Sequence, residues 1–395
     1  MANRFLRRQK YPWREGNGFQ LLVNGNNIFP AMLAAIEAAQ SQILLEMYLV
    51  QSGTLLDRFI TSLVEASKRG VNVYLLFDDY GTRGFEQLDR RRLERAGIYT
   101  VYYNPVRYGD FFSSLLRDHR KLLVIDEQTA FVGGIGIADV FDVESHPGKF
   151  WHDVAVQARG PVVGDWVNVF HRNWHTWTRL QITGAEKRIE SGATDRGASP
   201  GQVGRVAAGR FFGRSEIQRS FIKRIHNAER RVWMMTAYFV PSYRLLRALR
   251  KAARRGVDVR LVLPGPITDH PAVRYAGRRY FYTLLDAGVR IFEYQPRFLH
   301  AKVLLCDGWV SLGSSNIDRW NLRWNLEGNQ EIEDTEFAAL TTALFEADIQ
   351  FSEECKLQQW QSRSGYHRCL EWFWGKIDLL LENLSERIGR RKGKR

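Results

Sequence analysis

Two histidines in this chain each stand two residues before a lysine and seven before an aspartate. The first set is His119, Lys121 and Asp126; the second, 181 residues further on, is His300, Lys302 and Asp307. An imidazole beside an ammonium suits the chemistry of a phosphate ester. The lysine holds the anion, while the histidine attacks phosphorus or hands a proton to the departing oxygen. A single His-x-Lys-x4-Asp match is weak, because apolar strands often carry a His and a Lys. Two matches at equivalent places of an internally duplicated chain point to one shared site.

The elements that must carry these groups are legible. KLLVID at 121–126 and KVLLCD at 302–307 read as buried strands, followed by small-residue turns, GGIG at 133–136 and GSSN at 313–316. Side chains alternate along a strand, so His119 shares a face with Lys121 and His300 with Lys302. Asp126 and Asp307 fall on the opposite face or at the strand end. The duplication runs well beyond the motifs. AIEAAQSQILLEMYLV (35–50) matches RIHNAERRVWMMTAYFV (224–240), a helix end feeding a strand. TLLDRFITSLVEASKRG (54–70) matches SYRLLRALRKAARRG (242–256), amphipathic helices with a glycine where a C-terminal cap belongs. VNVYLLF (71–77) matches VDVRLVL (257–263), and AGIYTVYYNP (96–105) matches AGVRIFEYQP (287–296). Such alternation argues for parallel or mixed sheets with helices on their faces.

The expected organisation is a basic N-terminal segment (1–17), a first α/β domain (18–182), a Gly/Ser-rich flexible linker (183–205), a second α/β domain (206–365) and a C-terminal helix with its tail (366–395). Pro105 and Pro296 are 191 apart but the histidines only 181, so the first half carries ten extra residues before His119. That insertion, within VRYGDFFSSLLRD (106–118), is either a plain surface loop or a lip that dips into lipid.

The doubled motif resembles the hallmark of the phospholipase D superfamily. With WREGN at 13–17, the paired strand–helix units and WHD at 151–153, residues 13–365 look like the short, B-type bacterial cardiolipin synthases. The resemblance implies an α/β fold of two duplicated α/β/α sandwich domains, packed as a pseudo-dimer with one active site at their interface. It implies transfer of a phosphatidyl group from one phosphatidylglycerol to another, with release of glycerol, through a phosphohistidine. His119 is then the expected nucleophile and His300 the acid and base. Lys121, Lys302 and Asn316 steady the phosphoryl oxygens, and Ser314 joins Asn316 as a polar ligand of phosphate and turn. Asp153 and Glu327 resemble acids that orient the imidazoles; the plain alternative is a surface carboxylate. The first half departs from the pattern, with Gly136 where the family has Asn and Gly134 opposite Ser314. It is expected to offer the phosphate fewer side-chain hydrogen bonds.

Composition narrows the partners. At 395 residues and 45% hydrophobic content, the chain can build two real cores. Cys306, Cys355 and Cys369 are too few and scattered for a disulfide framework or zinc site. No His/Asp/Glu cluster has metal-binding spacing, so no metal or other cofactor is expected. No stretch reads as a signal peptide, and the early apolar run at 43–50 carries Glu46 and is too short to span a bilayer. A net charge of +14 calls for an anionic partner, nucleic acid or lipid headgroup. No helix-turn-helix, RRM-like or zinc-finger pattern appears. Leu370, Trp374, Ile377, Leu381, Leu384 and Ile388 form an apolar stripe at helical spacing, ahead of the basic RIGRRKGKR. That pairing fits either a helix in a membrane interface or one packed on its own domain. The expectation is a peripheral protein on the cytoplasmic face of a bacterial membrane, with phosphatidylglycerol and an anionic surface as partners and no nucleic acid. A phospholipase D-type hydrolase, another phosphatidyltransferase and a nuclease of the same superfamily are the alternatives; a scaffold with a dead site has little support, since both His/Lys pairs are intact.

Overall fold

Each half of the chain builds a seven-stranded sheet with the same strand order, and the halves join edge to edge. The computed structural model describes residues 11–106, 116–180, 182, 201–208, 216–318, 325–363, 365, 369, 371 and 373–377. From the centre outward, the first half runs Arg14–Val23, Val154–Arg159, Thr129–Gly133, Lys121–Ile125, Gln42–Met47, Asn72–Asp78, Tyr99–Tyr103. The second half repeats this with Gln202–Ala208, Gly328–Glu333, Trp309–Gly313, Val303–Cys306, Arg231–Met235, Asp258–Pro264, Arg290–Tyr294, and adds Ser352–Cys355 at its edge. The last three strands of each repeat are parallel and the motif strand is antiparallel to them, so the sheet is mixed.

The repeats were expected from their pattern, and the local chemistry explains them. Helices Thr54–Lys68 and Tyr243–Arg254 each turn their leucines inward and end before a glycine, Gly70 or Gly256, at φ +88°. A side chain there would be strained, which is why glycine closes both helices. Ser242 caps the second helix by accepting from the Leu245 N–H at 3.4 Å. Three apolar clusters result. One lies under helices 25–38 and 54–68 of the first half, and one under helices 216–227 and 243–254 of the second. The third draws on both halves, filled by Trp166, Phe170 and Trp174 of helix Val162–Thr178 and by Phe337 and Phe345 of helix Thr335–Gln350. Burial of that shared core, at about 25 cal/mol per Å² of apolar surface, holds the halves together.

Two boundaries differ from the sequence reading. Segments 1–17 and 183–205 were expected to be a basic N-terminal segment and a flexible linker; strands Arg14–Val23 and Gln202–Ala208 begin inside them. These two strands pair antiparallel, Arg14 with Gly204 and Asn17 with Gln202, and make the seam. Gly204 looked like linker composition. It is instead a close-approach site, since a Cβ there would lie 2.4 Å from the Phe19 ring. The insertion at 107–115, most of the linker and the tail beyond Ile377 lie outside the described residues. Of the C-terminal helix, the described part packs on its own domain: Glu371 is buried, with Arg363 at 2.8 Å and Arg278 at 3.5 Å. Among the described residues, no helix is long and apolar enough to cross a membrane.

Candidate active site

Each motif histidine sits just ahead of its strand, with the motif lysine at or next to the strand start. The segments that deliver the acids are stitched to them by backbone. The His119 N–H donates to Leu326 O at 2.9 Å, and the His300 N–H to His152 O at 2.8 Å. Leu326 precedes Glu327 and His152 precedes Asp153. The acids therefore arrive crossed. His119 Nδ1 lies 3.2 Å from Glu327 of the second half, and His300 Nδ1 lies 2.5 Å from Asp153 of the first. Neither carboxylate is at the surface; Asp153 is fully buried and Glu327 is 1% exposed.

Both imidazoles open into one cavity of about 650 Å³, also lined by Tyr48, Lys121, Gly134, Gly136 and Asn325. Its walls are largely apolar: Leu49, Phe141, Trp151, Val240, Val273, Trp374 and Ile377. Tyr48 stands edge-on to His119 with ring centres 4.7 Å apart, and Phe141 and Trp151 flank His300, each at 5.3 Å. The Lys121 ammonium donates to His119 O at 2.6 Å and lies over the Tyr48 ring. Lys302 donates to His300 O and lies 3.0–3.1 Å from both ring nitrogens.

This crowding of buried cations sets the protonation. Burial, reinforced by Lys302, lowers His300 to about 4; burial and Lys121 lower His119 as well. Burial lowers Lys121 to about 7 and Lys302 to about 8, only partly offset by Glu327 and Asp153. Burial alone would raise Asp153, but Lys302, His300 and the Val154 N–H outweigh it and hold the carboxyl below its usual range. The free site thus holds neutral imidazoles and lysines ready to gain or lose protons near neutrality. A bound anion is the ligand such a site favours.

The other sequence candidates take different places. Asp126 and Asp307 do not reach the cavity. Each follows its strand at φ +51°, the far end from the histidine, and accepts backbone N–H bonds. Asp126 takes those of Gln40, Ser41 and Gln42, and Asp307 those of Glu229, Arg230 and Arg231, all at 2.8–3.0 Å. Their grouping with the reacting residues is corrected: they anchor the chain ahead of the neighbouring strand. Ser314 also shifts role. It donates to Glu327 and accepts from the Gly328 N–H at 3.0 Å, so it braces the carboxylate that faces His119. Asn316 is fully buried with both side-chain polar atoms unpartnered. In the first half, Asp153 fills the space where a Gly134 Cβ would sit, 2.6 Å away, and Leu49 does so at Gly136, 2.9 Å away. No asparagine side chain fits there without movement of that loop. Tyr48, Phe141, Tyr238 and Asp269 were missed because they lie outside the His-x-Lys-x4-Asp motifs, although Tyr48 and Tyr238 occupy equivalent places in the matched repeats 35–50 and 224–240.

A duplicated α/β chain whose halves exchange carboxylates across one cavity has the phospholipase D-like fold. The chain belongs to the family described as cardiolipin synthase, PLD-like domain, which it matches over residues 32–139 and 221–349. It is 37% identical over 331 residues to cardiolipin synthase B of Salmonella typhimurium, covering 83% of this chain and 79% of that protein. It is 32% identical over 352 residues to cardiolipin synthase 2 of Bacillus anthracis, covering 89% and 68%. Among solved structures, phosphatidylserine synthase of Haemophilus influenzae shares the fold, with TM-score 0.69 and 14% identity over 92% of this chain and 94% of that one. The protein is accordingly an enzyme of the phospholipase D superfamily.

Proposed function

We propose that the protein is a cardiolipin synthase that passes a phosphatidyl group from one phosphatidylglycerol to another. The observation that carries this is the crossed pair His119–Glu327 and His300–Asp153 over one apolar-walled cavity. His119 holds its Nδ1 proton toward Glu327, which leaves Nε2 free to attack phosphorus. The new P–N bond forms as the bond from phosphorus to glycerol oxygen breaks, and His300, which takes up a proton as the anionic phosphodiester binds beside it, gives that oxygen a proton. The hydroxyl of a second phosphatidylglycerol then loses its proton to His300, its oxygen attacks phosphorus, and His119 leaves. Lys121 and Lys302 balance the phosphoryl charge through both steps. In this reading the Asn316 amide N–H, which has no other partner among the described residues, donates to a phosphoryl oxygen.

The apolar walls favour acyl chains over nucleic acid as the cavity's occupant. Water entering in place of the second lipid gives phosphatidic acid, a hydrolase outcome. We place the enzyme peripherally on the cytoplasmic face of a bacterial membrane, with its basic surface toward anionic lipid. The test is to incubate purified protein with labelled phosphatidylglycerol in detergent micelles, and separately with single-stranded DNA. Glycerol release with cardiolipin formation is expected; DNA cleavage alone, or silence in both, overturns the reading.

A further inference from the structure

The cavity has one polar corner that neither motif supplies. Tyr238, Asp269 and His270 line it on the side of the second half; Tyr48 is the first-half counterpart of Tyr238, but the first-half stretch that follows strand Asn72–Asp78 supplies no counterpart of Asp269 or His270 to the lining among the described residues. The Tyr238 hydroxyl donates to Asp269 Oδ2 at 2.5 Å, and His270 Nε2 lies 3.7 Å from the same oxygen. Both contacts fall on Asp269 Oδ2, and Asp269 lines the cavity with its side chain 22% exposed. The corner and His300 line the same cavity, and the Phe298 ring lies between Tyr238 and His300, 6.3 Å from one and 5.7 Å from the other. No other part of the site needs a carboxylate there; beside a phosphate it costs electrostatic energy.

We propose that Asp269 and Tyr238 form a subsite for the free hydroxyls of a glycerol headgroup. This rests on the phosphatidyl-transfer reading above. The subsite offers two adjacent acceptors, Asp269 Oδ1 and the Tyr238 oxygen, matched to two adjacent hydroxyl donors. An ammonium headgroup would satisfy the carboxylate but would also meet Lys302 and His270, so a neutral polyol is the better fit. Its position gives the two histidines different work. The headgroup lies on the His300 side, so His300 is next to the oxygen that leaves and, later, the oxygen that attacks. One subsite then serves the departing glycerol through its two hydroxyls and the incoming headgroup, one of whose hydroxyls attacks phosphorus, through the hydroxyl that remains.

The test compares phosphatidylglycerol with phosphatidylmethanol, whose headgroup has no hydroxyl to hold, in the same mixed micelles. Wild-type enzyme is expected to prefer phosphatidylglycerol in kcat/KM, and Asp269→Ala to cut that preference by roughly 10–100-fold, the scale of one charge-assisted hydrogen bond. Tyr238→Phe, which removes a single oxygen, is expected to cut it several-fold. A ratio is read, so a general loss of activity through folding or through His300 cancels. An unchanged ratio in both variants overturns the subsite while leaving phosphatidyl transfer intact. A larger loss with phosphatidylethanolamine than with phosphatidylglycerol overturns the polyol assignment. Wild-type enzyme inactive on all three lipids overturns the transfer reading, and the subsite with it.

Discussion

Seating an anion between Lys121 and Lys302 must drag protons into the enzyme. Burial lowers these ammonium groups from an ordinary 10.5 to about 7 and about 8. At pH 8 the free site therefore holds Lys121 mostly neutral and Lys302 about half charged. A phosphodiester monoanion between them restores the charged forms, so binding takes up about one proton, and somewhat more if both lysines recover fully. At pH 6 both are already charged and uptake vanishes. The measurement is calorimetric titration with a phosphonate analogue of phosphatidylglycerol, in buffers of differing ionisation enthalpy; the slope gives the proton count. The kinetic counterpart has a definite sign. The form that binds anionic substrate loses its charge as pH rises, so kcat/KM falls above neutrality. With two titrating lysines, the fall between pH 7 and pH 9 is roughly 500-fold. Unperturbed lysines would leave that range nearly flat. Zero proton uptake at pH 8 together with a flat profile to pH 9 would refute the reasoning.

Three further outcomes follow from the geometry. Glu327→Gln and Asp153→Asn remove the negative partner of His119 and His300 without changing shape, and each is expected to lower kcat by roughly 10²–10⁴-fold with circular dichroism unchanged. His300→Ala is expected to accumulate a phosphohistidine on labelled lipid, detected by acid-labile label on the protein, whereas His119→Ala accumulates none; the reverse pattern would exchange their roles. Asp307→Ala is expected to lower the melting temperature while sparing turnover per folded molecule, since its carboxylate serves three backbone N–H groups and no reacting atom. Its pKa, like that of Asp126, lies below the usual range: those backbone bonds outweigh the opposing effect of burial. The stability it gives is therefore present above about pH 4 and is lost as pH falls through the folded value; a melting-temperature series against pH reads this directly.

The repeats were legible because they obey local rules. Buried strands such as Val303–Cys306 show as apolar runs, amphipathic helices show as leucines three and four apart, and Gly70 and Gly256 mark helix ends. The seam was not legible, because Arg14–Val23 and Gln202–Ala208 are held by pairing with strands distant in sequence, Val154–Arg159 and Gly328–Glu333, and with each other. Gly204 there serves a ring packed against it, a cause that has no local signature. The motif's third member misled for a related reason. Spacing places Asp126 and Asp307 at the ends of the motif strands but does not say that backbone amides from a neighbouring loop converge on them. The cavity walls, Tyr48 and Phe141 among them, come from strand ends and turns brought together only by the fold.

The crossing of the acids explains why the duplicated halves stay coupled. Neither half holds a complete imidazole–carboxylate pair: His119 depends on Glu327, and His300 on Asp153. The bonds from His119 N–H to Leu326 O and from His300 N–H to His152 O fix each acid relative to the histidine it serves. A shift of one half against the other would thus loosen both pairs at once, and misplacement by about 1 Å can cost about 10²-fold in rate. The shared core around Trp166 and Phe337 packs side chains of both halves together and so opposes such a shift. Trp166 ties the halves directly, its indole N–H donating to Gln330 Oε1 at 2.8 Å. By this argument Trp166→Phe, some distance from the cavity, should reduce turnover more than it reduces secondary structure, through slack in both crossed pairs.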